Sequence, residues 1–304
     1  MPIPSVKQMR LRYELASEVV AARAGEYVDD HDYDLLIEGS DVDVVTPAGD
    51  WLLSHRVQAL DWESYRHLVP MIAGLRGDVD GRGNAVFKES KLPLLCKDGT
   101  VSGSRIYHIP KLESLGDGFS IRFGYSGRTG MNPYGHRSGH WEQHPEVFDA
   151  IQPFLRAMHA VYRAAAPEWC RRQDKLAQQT QHWLLPGTNF NNLTINQNVQ
   201  FALHRDKGNF EPAVMTVLTK GDNTGGILVF LQYLLGVRLK PGNVLVADTR
   251  HGWHGNTALY GVPGESFRHS YVAHFHRSML KLGTEAEEAE RRERWIASRS
   301  SIAD

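Results

Sequence analysis

Along the first 115 residues, apolar and polar positions alternate only in short pieces. Tyr33 to Glu38 and Val42 to Thr46 read as strands, and Trp62 to Leu75 reads as a helix. The run GLRGDVDGRGN is dense in glycine and charge, so an exposed loop is expected there. Residues 116–142 interleave glycine with aromatic and basic side chains, which predicts a loop or an irregular strand. From His144 to Gln181 the pattern becomes helical: Phe148, Ile151, Phe154, Leu155, Met158, Val161 and Tyr162 recur at helical spacing. Pro167 should break or restart that helix, with Glu168 and Trp169 opening a second one. After Asn189 the period drops to two. NFNNLTINQNVQFALHRD, AVMTVLTKG, GGILVFLQY, VRLKPGNVLVAD and FRHSYVAHFH read as strands separated by Gly, Pro and Asn turns. Five or six such strands behind a helical segment predict an α+β chain, a β-sandwich or jelly roll backed by helices. The end, GTEAEEAERRERWIASRS, reads as a highly charged, solvated helix.

Composition narrows the class. A chain of 304 residues, 41% apolar and 23% charged, can bury a full core. No apolar run approaches the ~20 residues of a membrane span, and MPIPSVKQMRLRYELASEVV lacks the order of a signal peptide. With only Cys96 and Cys170, a disulfide framework is not expected, so the chain reads as soluble and intracellular. A net charge of −1 gives no global basic excess for nucleic acid, while leaving room for a local basic channel. Histidine is the unusual count, 15 in all, several of them between residues 251 and 276.

Those histidines lead to the chemistry. His204-Arg205-Asp206 ends a strand, and residues two apart on a strand share a face, so both side chains can reach one metal ion. Pro241-Gly242-Asn243 then turns the chain into an apolar strand that delivers His251 and His254. Two histidines and one carboxylate on one side of a metal leave the opposite positions open, as in non-haem iron(II) oxygenases. Zinc in a hydrolytic site is the rival. Arg268 and Ser270, sharing a face of the last strand, weigh against zinc, because they suit a dicarboxylate tail for which a hydrolase has no need.

At these residues the sequence resembles the TET/JBP group of dioxygenases, which oxidise the methyl group of 5-methylcytosine or thymine in DNA. The likeness covers about residues 116–280. It rests on GFSIRFGYSGRTG, VYRAAAPEWCRRQ, NFNNLTINQNVQFALHRDKGN, VLTKGDNTGG, RHGWHGNT and FRHSYVAHFH. The resemblance implies a double-stranded β-helix over 116–282, with a mixed region 1–115 before it and the charged helix 283–304 after it. It implies Fe(II) on His204, Asp206 and His254, the second histidine of HGWH fitting the ligand place better than His251. It implies 2-oxoglutarate on Arg268 and Ser270, and base contacts from Asn209 and His276. His274 stands where some members stack an aromatic ring on the base. DNA containing a 5-methylpyrimidine is the implied partner, with 5-methylcytosine ahead of thymine. Two other functions compete: a dioxygenase acting on a free nucleotide, metabolite or protein side chain, and a binding module with a dead site. The cysteine-rich zinc extension of the animal enzymes has no counterpart in a chain with two cysteines, and 1–115 carries no likeness. Arg122, Arg128, Arg137, Tyr125 and Tyr134 are candidate phosphate contacts, with an ordinary surface loop as the equal alternative.

Overall fold

A computed structural model of the chain describes residues 6–75, 107–108, 119–130, 132–262 and 265–300. The glycine- and charge-rich run at 74–84 lies almost wholly outside them. Two sheets carry the fold. The larger has nine strands, in the spatial order Lys7–Arg10, Val42–Val45, Trp51–Arg56, Val244–Ala247, Asn209–Lys220, Phe267–His276, Asn192–Gln197, Phe119–Ser126 and His136–Arg137. The smaller has four: His254–Asn256, Leu228–Phe230, Leu235–Val237 and Leu35–Ile37. Their facing apolar sides form one cluster, in which Phe230, Leu235 and Val237 meet Val44, Leu53, Met215 and Leu245. This is the double-stranded β-helix expected of the chain. Early segments extend both sheets: Lys7–Arg10 runs parallel to Val42–Val45, and Leu35–Ile37 runs parallel to Leu235–Val237.

A helical layer covers the outer face of the larger sheet. Pro145–Ala165 buries Phe148, Ile151, Phe154, Leu155, Met158 and Tyr162 at intervals of three and four, one stripe of a 3.6-residue period. The stripe packs on Ile121, Phe123, Leu193, Ile195, Val214, Tyr271 and Ala273, and Phe154 meets Tyr271 edge-on with centroids 5.0 Å apart. Burial of each such ring contributes roughly 1.5–3 kcal/mol. Pro167 begins a new helix, Pro167–Ala177, where its missing N–H costs no helical bond. Trp62 to Leu75 resolves into a 3-10 turn, Trp62–Tyr65, and a helix, Leu68–Gly74.

The glycine-rich stretch, expected as a loop or an irregular strand, contains a regular eight-residue strand, Phe119–Ser126, paired to Asn192–Gln197. Gly124 is the reason for its composition: a Cβ there would stand 2.5 Å from the Asn191 carbonyl oxygen, so only glycine permits the approach.

The closing strand Phe267–His276 organises the site. His269, Tyr271, Ala273 and Phe275 are buried under the helices, while Arg268, Ser270, Val272, His274 and His276 alternate onto the opposite face. That second row looks into a cavity of about 1550 Å³.

Candidate active site

The ligand loop is built by backbone pairing. His204 N donates to His254 O at 2.8 Å and His254 N donates back to His204 O at 2.9 Å, an isolated antiparallel bridge joining the two histidines. The chain then leaves the strand. Asp206 N donates to Thr249 O at 2.9 Å, and Asn209 N closes a turn on Asp206 O at 2.9 Å. His204 and Asp206 therefore converge from a bridge and a turn, not from one strand face as their spacing suggested. His254 likewise opens its own short strand, because the preceding one ends at Ala247.

The side chains meet. His204 Nε2 lies 3.6 Å from Asp206 Oδ1, His254 Nε2 lies 3.8 Å from Asp206 Oδ2, and the two rings are 4.3 Å apart. The three donors form one group able to hold a metal ion. Each histidine spends its other nitrogen on a carbonyl: His204 Nδ1 on Ala202 O at 2.8 Å, His254 Nδ1 on Gly252 O at 3.0 Å. Those bonds fix the tautomer with the Nε2 lone pairs facing the carboxylate. Bonds of ~2.1 Å to one ion would set the donor atoms about 3–3.5 Å apart, and the three donors here lie within 4.8 Å of one another. Burial pushes the Asp206 carboxyl up, but the neighbouring histidines outweigh it and hold the carboxyl well below its usual range. Burial lowers His254 to about 4, which keeps it a neutral ligand. The donors thus fit a divalent cation. His251 stays outside, exposed and bound to Asp248 at 2.8 Å.

Arg268 and Ser270 line the same cavity. Burial alone lowers Arg268 to about 10, and among the described residues no acid is paired with it. A half-buried guanidinium without a carboxylate partner suits an anionic ligand. Its backbone N donates to Asn198 Oδ1 at 2.9 Å, and Asn196 Nδ2 donates to Ser270 Oγ at 3.3 Å. The asparagines of NFNNLTINQN thus brace the anchor strand, a role the sequence did not reveal.

Asn209, His274 and His276 share the cavity. The Asn209 amide donates to Asp206 Oδ2 at 3.3 Å. A carboxylate only accepts, so the Asn209 Oδ1 is left as an acceptor. Ser278 N donates to His276 Nδ1 at 3.3 Å, which makes Nε2 the protonated nitrogen. Burial lowers His274 to about 4 and also lowers His276, so both rings are neutral at pH 7. The candidate phosphate contacts divide. Tyr125 is buried between Trp141 and Trp183, Arg128 pairs with Glu288, and Arg137 lies over the Trp141 ring at 4.9 Å. Arg122 remains exposed on the cavity wall.

A second group, His159, Cys170 and Asp174, sits in the helical layer. The Asn189 amide donates to Cys170 Sγ at 3.4 Å and to Asp174 Oδ1 at 2.8 Å, so those donors already serve packing.

The C-terminal helix, Glu285–Ser300, is solvated as its charge suggests, except at Glu288 and at the half-buried Trp295. Glu288 is 1% exposed, and its carboxylate accepts from both Arg128 Nε and Nη2, from Gly135 N at 2.7 Å and from Gly283 N at 3.0 Å. Arg292, Trp295 and Arg299 reach the cavity mouth. No described helix is long and apolar enough to cross a membrane.

Comparison with known proteins agrees with this geometry. Residues 135–277 match the Tet_JBP family model, described as the oxygenase domain of the 2OGFeDO superfamily. The chain is 30% identical over 158 residues to thymine dioxygenase JBP1 of Crithidia fasciculata, a match covering 51% of this chain and 19% of that protein. It is 30% identical over 151 residues to the bifunctional helicase and thymine dioxygenase JBP2 of Trypanosoma cruzi (strain CL Brener), covering 49% and 13%. The chain thus spans less than a fifth of the length of these relatives. Its fold follows that of NgTET1 in complex with 5mC DNA, with a TM-score of 0.59 at 11% identity over 96% of this chain and 91% of that one. The superfamily uses Fe(II) and 2-oxoglutarate, the two cofactors that this donor set and this unpaired half-buried arginine suit. Over residues 135–277, just under half of its length, the chain is similar to the Tet/JBP-type oxygenase domain of the 2OGFeDO superfamily.

Proposed function

We propose that the protein is an Fe(II)- and 2-oxoglutarate-dependent dioxygenase that oxidises the methyl group of 5-methylcytosine in DNA to 5-hydroxymethylcytosine. One observation carries the reading: a metal-ligand triad, a half-buried unpaired arginine and a polar pair suited to a pyrimidine edge all open into one cavity. His204, Asp206 and His254 would hold the iron, which supplies oxygen activation coupled to decarboxylation of 2-oxoglutarate. Arg268 and Ser270 hold the distal carboxylate of that co-substrate, with Asn196 and Asn198 fixing their directions.

The base is read from the metal outward. A methyl group on C5 must lie at the iron, so the neighbouring C4 substituent falls beside Asn209, which is bonded to a metal ligand. The Asn209 Oδ1 accepts from the N4 amino group of cytosine, whereas the O4 of thymine would meet two acceptors there. His276 Nε2–H then faces N3, an acceptor in cytosine. A methyl group inside a duplex cannot reach this cavity, so the base is extruded into it, and about 1550 Å³ accommodates a nucleoside beside the co-substrate.

A second reading, thymine as substrate, is favoured by the two relatives described above, both thymine dioxygenases. One experiment separates them. The protein is reconstituted anaerobically with Fe(II), then given 2-oxoglutarate, oxygen and duplexes carrying either 5-methylcytosine or thymine alone. Nucleosides are read by mass spectrometry, with His204→Ala as the control. Hydroxymethylcytosine absent from the control supports the proposal, and hydroxymethyluracil replaces it with thymine. Succinate with no altered base removes DNA as the substrate.

A further inference from the structure

The cavity differs in charge from the chain as a whole. Its lining carries eight arginines and lysines against two acids, Asp206 and Glu142, in a protein of net charge −1. Three of the lining residues lie on the C-terminal helix, past the end of the family match. Arg292, Trp295 and Arg299 follow spacings of three and four, so they share one helical face. That face is ordered by ring contacts. Trp295 meets Tyr134 edge-on with centroids 5.7 Å apart, Arg292 lies over Tyr134 at 5.9 Å, and Arg299 lies over Trp295 at 4.4 Å. The buried Glu288 carboxylate, with its bonds to Arg128, Gly135 and Gly283, clamps the helix to the loop that forms the cavity wall. The guanidinium groups are exposed and Trp295 is half-buried.

We propose that the Arg292–Trp295–Arg299 face binds the phosphodiester backbone of the DNA strand flanking the base in the cavity, with Trp295 stacking on a neighbouring unpaired base. The inference rests on the DNA reading above and adds to it the residues that grip the strand. Guanidinium groups pair with phosphate oxygens in forked geometry, and an indole offers a stacking platform that tolerates any base. The segregation of charge along the helix agrees. Its first turns carry Glu285, Glu287, Glu288 and Glu290, directed to docking and solvent, while from Arg291 onward four arginines stand against the single Glu293.

The test uses the full chain loaded with Fe(II) and 2-oxoglutarate without oxygen, and a fluorescent duplex containing one 5-methylcytosine. Anisotropy titrations at several salt concentrations give the affinity and its salt slope. Each phosphate contact contributes about 0.9 to that slope. The Arg292→Ala/Arg299→Ala double variant is expected to bind at least tenfold more weakly with a slope shallower by about two. Arg292→Lys/Arg299→Lys should restore the slope, and Trp295→Ala should lose about tenfold without changing it. Circular dichroism melting confirms that each variant is folded. A wild-type chain that binds DNA, with an alanine double variant of equal affinity and slope, overturns the role of the helix alone. A wild-type chain that binds no DNA overturns the helix proposal and the DNA reading together.

Discussion

Replacing Glu288 by glutamine removes a charge on which four donated hydrogen bonds converge. The carboxyl is itself buried: burial raises its pKa, but the hydrogen bonds from Arg128, Gly283 and Gly135 outweigh that and lower it from 4.5 to about 2. Taken at face value, that difference is worth ~3 kcal/mol of docking energy, at about 1.4 kcal/mol per tenfold change in proton affinity. Arg128 is partly open to solvent, with 33% of its side chain exposed, so screening reduces the figure to about 2 kcal/mol. The sign follows from a folded-state pKa below the unfolded one. The contribution is complete above about pH 4.5 and drains away as the pH falls towards 2. Hydrogen exchange resolved to peptides of the C-terminal helix measures this directly. At pH 7, Glu288→Gln should lower protection of residues 285–300 roughly thirtyfold relative to wild type, with the sheets unaffected. When both proteins are compared at equal pH, the ratio should shrink towards one near pH 2–3. Equal protection at pH 7, or a ratio that does not change with pH, would show that the carboxylate does not hold the helix.

Other outcomes follow from single contacts. On the proposed co-substrate site, Arg268→Met would remove the cationic half of an ion pair with 2-oxoglutarate, a loss of about 2–5 kcal/mol. The 2-oxoglutarate concentration for half-maximal binding, measured calorimetrically on the Fe(II) form, should rise at least thirtyfold. In Gly208→Ala the new Cβ would fall on the His276 ring. Displacing that ring by about 1 Å should lower kcat/KM for methylated DNA about a hundredfold, with unchanged iron content as the control that the ligand loop is intact. The Tyr271 hydroxyl is buried without a hydrogen-bond partner among the described residues. Tyr271→Phe should therefore leave stability unchanged or raise it by up to ~1 kcal/mol in denaturant titration, and a loss beyond that would reveal a partner.

Much of this was legible in the residues, and the exceptions have physical causes. The helix Pro145–Ala165 declared itself because its buried stripe is continuous, from Phe148 to Tyr162. The alternation of Phe267–His276 was readable for the same reason, and with it the row of Arg268, Ser270, His274 and His276. The strand Phe119–Ser126 was hidden because its cavity face carries Ser120 and Arg122, while a close backbone approach requires Gly124. The three expected ligand side chains do come together, but from another local form. His-x-Asp spacing is satisfied equally by a strand and by a bridge followed by a turn, and only the backbone bond from Asp206 to Thr249 distinguishes them. Glu288 was indistinguishable from its acidic neighbours, since Arg128 lies 160 residues away in sequence. Nothing local announces that Leu35–Ile37 would lie beside Leu235–Val237.

That last pairing has a consequence in time. The two partners are 200 residues apart, Leu35 facing Leu235, and Trp51–Arg56 likewise waits for Val244–Ala247. At ribosomal speeds of about 5–20 residues per second, the earlier strands are in solution for roughly 10–40 s before their neighbours have been made. During that interval Leu52 and Leu53, both buried in the finished sheet, lack the strand that covers them. Such distant closure slows folding and leaves bare edges that pair with other nascent chains. The yield of native protein should therefore depend on temperature and chaperone supply more steeply than its finished stability would suggest.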